Sequence, residues 1–291
     1  MVEGRWSIVV HGGARTIAHN RRAANRSGCA AAAQAGADIL RRGGSAIEAV
    51  KVAVCILEDD PTFNAGSGSV GNAAGEIELD AGIMDGSTLA IGAVAAVSRI
   101  YNPVEVAAGM LDAAPILLVG AGAEAFARSR GLPLAATPLA PLPAADPGHD
   151  TVGCVALDQT GHFAAATSTG GLAGTMPGRV GDAPLPGCGF YAEDGIGGVS
   201  LSGDGEAIAR TLLAARVMRA LETKKATSAA RAIFKPLERM QAEAGAIVID
   251  AAGGIGLAHN SDHLAVAYAA SDLKGVKTLL HQNELDEPDG Q

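Results

Sequence analysis

The chain has little charge and no cysteine framework. Only 18% of its 291 residues are Asp, Glu, Lys or Arg, and the four cysteines, Cys29, Cys55, Cys154 and Cys188, lie far apart with no Cys-x-x-Cys pair. That spacing argues against a disulfide scaffold and fits reduced thiols. No apolar run is long enough to span a bilayer. The start, Met1-Val2-Glu3-Gly4-Arg5-Trp6, lacks the basic-then-apolar order of a signal peptide, so the cytoplasm is the expected location. A net charge of −9 argues against nucleic acid and anionic membranes as partners. The seven histidines show no ligand spacing with cysteines or carboxylates, and the Asn260-Ser261-Asp262 turn separates His259 from His263, so a zinc site is not expected. There is no Gly-x-Ser-x-Gly elbow, which disfavours a serine triad.

Small and apolar residues are abundant instead. Apolar residues make up 48% and glycine 39 positions, enough for a sizeable core with many tight turns. Residues 7–10 read as a strand ending in a turn at His11-Gly12-Gly13-Ala14. Residues 21–40 and 46–58 read as helices, the second opened by Ser45 with Glu48 three residues on and closed before Pro61. Strands are expected at 77–79, 89–97 and 115–119, and helices at 103–111 and 124–130. Residues 131–147 hold five prolines and almost no charge, and read as a mobile, exposed linker reaching 149. Strands at 152–157 and 162–168 form a hairpin, followed by a glycine-rich loop to 190 and a strand at 199–202. Helices are expected at 206–223 and 228–243, then strands at 245–249, 254–259 and 264–269. Strands and helices alternate in blocks, favouring layered sheets with helices outside.

Gly66-Ser67-Gly68-Ser69-Val70-Gly71 matches the dinucleotide pattern literally, but it follows a helix and opens none. It reads as a loop that needs glycine dihedrals, or one that offers carbonyl oxygens to a hard cation. The seam His149-Asp150-Thr151-Val152-Gly153 is different. Cut before Thr151, it would leave a residue carrying both a hydroxyl nucleophile and a free amine. Thr167-Ser168-Thr169-Gly170-Gly171 places hydroxyls on the adjoining strand. Gly178-Arg179-Val180-Gly181-Asp182 sets a cation and an anion three residues apart. Ser202-Gly203-Asp204-Gly205-Glu206 offers a hydroxyl and backbone N–H groups at a strand-to-helix junction. Each has a plainer reading: a strand-initial Thr151, a strand-end Thr169, an Arg179–Asp182 surface pair, and Ser202 as an N-cap.

Together with Val9-Val10-His11-Gly12-Gly13, Leu57-Glu58-Asp59-Asp60-Pro61-Thr62-Phe63-Asn64-Ala65-Gly66 and Met84-Asp85-Gly86, these motifs resemble the plant-type asparaginases and isoaspartyl aminopeptidases. Those enzymes are relatives of glycosylasparaginase among the N-terminal nucleophile hydrolases. The resemblance runs from Val9 to about Ala269. It implies an α+β fold, a four-layer αββα sandwich. It implies a single-domain precursor, 1–291, that cuts itself between Asp150 and Thr151 into an α subunit (1–150) and a β subunit (151–291). Thr151 would be the nucleophile, Thr169 its supporting hydroxyl, and Ser202 with the Gly203 N–H the oxyanion hole. Asn64 would lie near the nucleophile. Arg179 would hold the substrate α-carboxylate and Asp182 its α-ammonium, with the Gly205 carbonyl assisting. The carbonyls of Leu57, Glu58, Asp60, Phe63, Ala65 and Ser67 would hold a structural sodium ion, with no organic cofactor. A small-molecule substrate and an (αβ)₂ dimer of cleaved protomers are the implied partners. The chain departs from the family pattern at Arg15, Gly71, Asp150 and Ser202, where glycine, a larger apolar residue, often glycine, and threonine are usual. Asp150 is shared with glycosylasparaginases, which leaves a glycosylasparaginase activity as the alternative. A non-catalytic binder of aspartyl metabolites is the reading from another class.

Overall fold

The computed structural model describes residues 4–141 and 151–285. Asp150, and residues 142–149 of the expected linker, lie outside the described residues. In chain order the strands are β1 (Ser7–Arg15), β2 (Leu79–Asp85), β3 (Ile91–Val97), β4 (Leu117–Val119), β5 (Val152–Leu157) and β6 (Phe163–Thr169). They continue with β7 (Phe190–Glu193), β8 (Gly197–Gly203), β9 (Ala244–Asp250), β10 (Ile255–His259), β11 (His263–Ala270) and β12 (Lys277–Leu279). The helices are α1 (Arg22–Arg41), α2 (Ala46–Asp59), α3 (Pro103–Ala108), α4 (Gly120–Ser129), α5 (Gly205–Thr211), α6 (Leu213–Leu221), α7 (Ala226–Ala230) and α8 (Phe234–Met240). None is long and apolar enough to cross a membrane. The fold is mixed α+β, with an eight-stranded sheet ordered β12-β11-β1-β5-β6-β2-β3-β4 and a four-stranded sheet ordered β10-β9-β8-β7.

Side-chain parity divides the core three ways. Ile8, Val10, Cys154, Ala156 and Ala166 of the larger sheet pack with Ala33, Leu40, Val50 and Val54 of α1 and α2. Their neighbours in sequence, Val9, Val155, Phe163 and Ala165, meet Phe190, Ile247 and Ile249 of the smaller sheet. Val199, Leu201 and Val248 on the smaller sheet pack with Leu213, Val217 and Ala229 of α6 and α7. A fully buried Leu, Ile or Phe contributes about 1.5–3 kcal/mol, so these strands are covered on both faces and their apolar runs do not alternate with polar residues.

The Ser45 cap is present: its Oγ accepts the Glu48 N–H at 3.2 Å. Three local expectations are corrected. The His11–Ala14 stretch is strand, not turn, and β1 continues to Arg15 with a register shift between His11 and Ala14. Its glycine at 12 serves a close approach, since a Cβ there would stand 2.3 Å from Phe63 Cε1. The helix expected over 206–223 breaks at Leu212, which adopts a left-handed φ of 50°. The helix expected over 228–243 is divided by a 3₁₀ turn at Arg231–Ile233, after which Pro236 sits in the first turn of α8, where its missing N–H is tolerated. The strands differ from the sequence reading as well: β2 runs over Leu79–Asp85 where a strand was expected only at 77–79, and β7 and β12 lie where no strand was expected. In the first half of the expected linker, the Ala135 and Leu139 amides donate to the carbonyls of Arg99 and Ser98 at 2.8 Å.

Candidate active site

The hairpin of β5 and β6 sets the site. Val155 and Phe163 face the smaller sheet, so by the two-residue period Thr151, Thr167 and Thr169 face it too. Val152 pairs with Ser168, which places Thr151 beside Thr169. On β8, Val199 and Leu201 face the helices, so Ser200 and Ser202 face back. At this end of the interface, hydroxyls replace the apolar residues of the core. Gly153 makes room for them: a Cβ there would lie 2.0 Å from Ser200 Oγ and 2.5 Å from His11 Nε2. His11 Nε2 lies 2.8 Å from Ser200 Oγ. Burial pushes the His11 pKa down to about 3, so the ring is neutral near pH 7.

A narrow cleft opens here, lined by Thr151, Thr169, Arg179, Asp182, Gly203 and Gly205, all singled out in the sequence. Gly171, Leu172 and Gly181 complete its wall. Thr151 and Thr169 line it while being only 6% and 5% exposed.

Two of the expected site residues stand behind this wall. Asn64 donates from Nδ2 to the Gly171 carbonyl at 2.7 Å and accepts the Val70 N–H at 3.0 Å, while its backbone carbonyl accepts the Gly170 N–H at 2.8 Å. It therefore shapes the turn after Thr169, whose Oγ1 accepts the Gly171 N–H at 3.1 Å. Ser202 is fully buried and its Oγ accepts the Ala14 N–H at 3.1 Å. That bond uses an oxygen lone pair and leaves the hydroxyl proton free to donate. Gly203 follows at φ 145°, and a Cβ there would be 2.3 Å from the Glu243 carbonyl, so only glycine fits.

Arg179 does not pair with Asp182. Its Nε and Nη2 donate to the two oxygens of Glu206 at 2.8 Å each, a bidentate fork at the start of α5. Burial works against the guanidinium charge, but Glu206, Asp182 and Asp80 outweigh it and hold its pKa above the ordinary value. Asp182 is 3% exposed, and its Oδ2 has no hydrogen-bond partner among the described residues. Burial pushes its carboxyl up to about 7, opposed by Arg179 and assisted by Asp80 and Glu206. Sequence reasoning gave Glu206 and Asp80 no role. Glu206 stood in a quoted motif but was not linked to Arg179, which lies 27 residues away.

The loop after α2 draws its carbonyls together. A Cβ at Gly66 would stand 2.4 Å from the Glu58 oxygen, and one at Gly68 would stand 2.0 Å from that of Phe63. Pro61 has no N–H to offer the Leu57 carbonyl one turn back. The carbonyls of Asp60, Ala65 and Glu58 each accept one hydrogen bond, from Phe63 N, Gly68 N and Ser67 Oγ, and retain a second lone pair. All-oxygen donors at the negative end of a helix fit a hard cation. The departures have visible settings: Arg15 is buried at the end of β1, opposite His263, and a Cβ at Gly71 would meet Pro141 Cγ at 3.3 Å.

Comparison with known proteins agrees with this geometry. The family model described as Asparaginase matches residues 4–140 and 136–278. The isoaspartyl peptidase/L-asparaginase of Danio rerio is 42% identical over 304 residues, covering 97% of each chain. That of Bos taurus is 42% identical over 268 residues, 84% of this chain and 87% of its own. The isoaspartyl peptidase of Salmonella typhimurium is 37% identical over 294 residues, 90% and 94% of the two chains. With a family model matched along almost the whole chain, and relatives of 37–42% identity covering most of their own length, the chain belongs to the asparaginase family.

Proposed function

We propose that the chain is a self-processing threonine amidohydrolase that cleaves β-aspartyl amide bonds, in L-asparagine and β-aspartyl dipeptides, releasing L-aspartate. The observation that carries this reading is the cleft that brings Thr151 and Thr169 together with Arg179 and Asp182. The names of the relatives, isoaspartyl peptidase and L-asparaginase, support the bond type.

A threonine hydroxyl needs a base to become a nucleophile at neutral pH. An α-amine, with a pKa of about 7.7–8.0, is partly neutral at pH 7 and can take that proton. Thr151 supplies both groups once the bond from Asp150 is cut; before the cut its nitrogen is an amide and no base. Thr151 Oγ1 then attacks the side-chain amide carbonyl, and the oxyanion forms against the Ser202 hydroxyl and the Gly203 N–H. The C–N bond breaks, and ammonia or an amino acid leaves with the proton taken from threonine. Water attacks the β-aspartyl ester, releases aspartate and restores the hydroxyl. Arg179 grips the α-carboxylate and Asp182 the α-ammonium, which selects an aspartyl head with both groups unblocked. Thr169 holds the turn beside the nucleophile through the Gly171 N–H.

The same reading includes a four-layer αββα fold, supported by the three-way division of the core. It also includes a sodium ion that the carbonyls of Leu57, Glu58, Asp60, Phe63, Ala65 and Ser67 would hold, whose chemistry is structural: it would fix the loop that carries Asn64. Location in the cytoplasm and an (αβ)₂ assembly complete it.

Mass analysis of the purified protein tests the reading. It should give two fragments, 1–150 and 151–291, and the cleaved protein should release ammonia from L-asparagine and aspartate from β-aspartyl dipeptides. Thr151→Ala should stay intact and inactive. An intact wild-type chain with full activity would sink the mechanism, and a cleaved chain inert on these substrates would favour a binding role.

A further inference from the structure

Asp80 completes a row of polar side chains across the inner face of the larger sheet. It pairs with Thr169 from one side, and Thr151 stands beside Thr169 on the other. Met84, four residues on in β2, faces the smaller sheet, so Asp80 shares that face. Strands are about 4.8 Å apart, which puts Asp80 about 10 Å from Thr151. That is too far to touch the nucleophile and suits the side of the cleft that holds the substrate head.

The backbone is bent to place it. The β2–β3 register slips between Leu79 and Ala81, the partner changing from Val97 to Val94. Opposite the slip, Ala96 has φ 50°, a left-handed conformation that is strained for a residue with a β-carbon. Its N–H donates to Asp80 Oδ1 at 2.8 Å. Bulges of this kind re-aim side chains beside active sites. Two residues earlier, Glu78 accepts the Gly178 N–H on both oxygens, at 2.9 and 2.8 Å, and the Asn72 amide at 2.9 Å. The Gly181 N–H interacts with Asp80. Gly178 and Gly181 bracket Arg179, so both ends of the loop carrying Arg179 and Asp182 are tied to carboxylates from one strand and its approach.

We propose that Asp80 and Glu78 are positioning residues for the substrate head: they fix the Arg179–Asp182 loop, and Asp80 adds a second negative charge behind the α-ammonium. The inference rests on the asparaginase reading. Burial pushes the Asp80 carboxyl up to about 7 against the pull of the Ala96 amide and Arg179. The charged groups that face it are Arg179, Glu78 and Asp182, with Glu206 beyond on Arg179.

Asp80→Asn keeps the acceptor for Ala96 and removes the charge. The variant should be cut normally, with KM for L-asparagine up about tenfold and kcat changed by less than about threefold. Asp182 loses a like-charged neighbour, so the acid limb of its kcat/KM profile should move to lower pH, a shift that a purely structural role would not produce. Glu78→Gln should raise KM and leave the limb in place, since it acts through Gly178. An unchanged KM in Asp80→Asn, or equal losses in kcat and KM with an unmoved limb, overturns the proposal. Should Asp80→Asn fail to fold, an unchanged KM in Glu78→Gln does the same. Wild-type protein that hydrolyses neither substrate class would refute the proposed function instead, a distinct outcome.

Discussion

Ser202→Ala removes one oxygen with two separable duties. In the reaction, its hydroxyl would donate to the oxyanion beside the Gly203 N–H; losing one such donor lowers kcat by about 10²–10³, or about 2.7–4 kcal/mol of barrier. In the fold, its Oγ accepts the Ala14 N–H at 3.1 Å in a fully buried setting. Orphaning that amide costs about 1–3 kcal/mol, against a total stability of about 5–15 kcal/mol. The variant should therefore fold, with a lower unfolding midpoint, and turn over L-asparagine at least about a hundredfold more slowly with little change in KM. The assay is steady-state ammonia release by the cleaved fraction, with thermal unfolding in parallel. Ser202→Thr restores the oxygen and should recover most of the rate. A kcat loss below about threefold in Ser202→Ala would refute the oxyanion role, because ground-state contacts alone could explain so small a change. An equal loss in Ser202→Thr would show that packing against β1, not the hydroxyl, is what matters.

Arg179→Ala should raise KM for L-asparagine by about tenfold to a hundredfold and leave the cut before Thr151 intact; equal damage to both would mark Arg179 as structural. Asp182→Asn should be inactive yet more stable at pH 8. Its carboxyl is pushed up to about 7 in the fold, so the folded chain binds the proton more tightly than the unfolded chain does. Stability is therefore lost as pH rises from about 4 through that value. The gain in unfolding midpoint should vanish in acid, and a gain that is constant with pH would refute the assignment.

Much of the site was legible because its chemistry is local in sequence. The hydroxyl, glycine and charge patterns around Thr151, Thr169, Arg179 and Ser202 each sit within five residues, and the family resemblance ordered them. What was not legible depends on non-local pairing. Glu206 meets Arg179 only because α5 starts where β8 ends, and Asp80 sits at a bulge opposite Ala96, whose positive φ no sequence pattern signals. His11-Gly12-Gly13-Ala14 misled for a related reason. Glycines that favour turns in isolation are used here for the approach of Phe63 and for a strand bulge, a tertiary demand that overrides local propensity.

The sheet order also decides what self-cutting can do to the molecule. Strands from before residue 151 are not grouped on one side: β1 lies between β11 and β5, and β2 pairs with β6. A cut between Asp150 and Thr151 therefore leaves both fragments laced through one eight-stranded sheet. Separating them would break the ladders at β1–β5, β1–β11 and β2–β6 and strip Cys154, Ala156 and Ala166 of the cover that α1 and α2 give them. The proposed site is divided in the same way, since Ala14, Asn64 and Asp80 come from the first fragment and Thr151, Thr169 and Ser202 from the second. The cleaved protein should thus elute as one species under native conditions, with both fragments in equal amount, and should unfold in urea as a single transition that tracks loss of amidase activity. Fragment 151–291 eluting alone with activity would refute the argument, because that fragment lacks the strand that holds Ser202 and the asparagine that shapes the Thr169 turn.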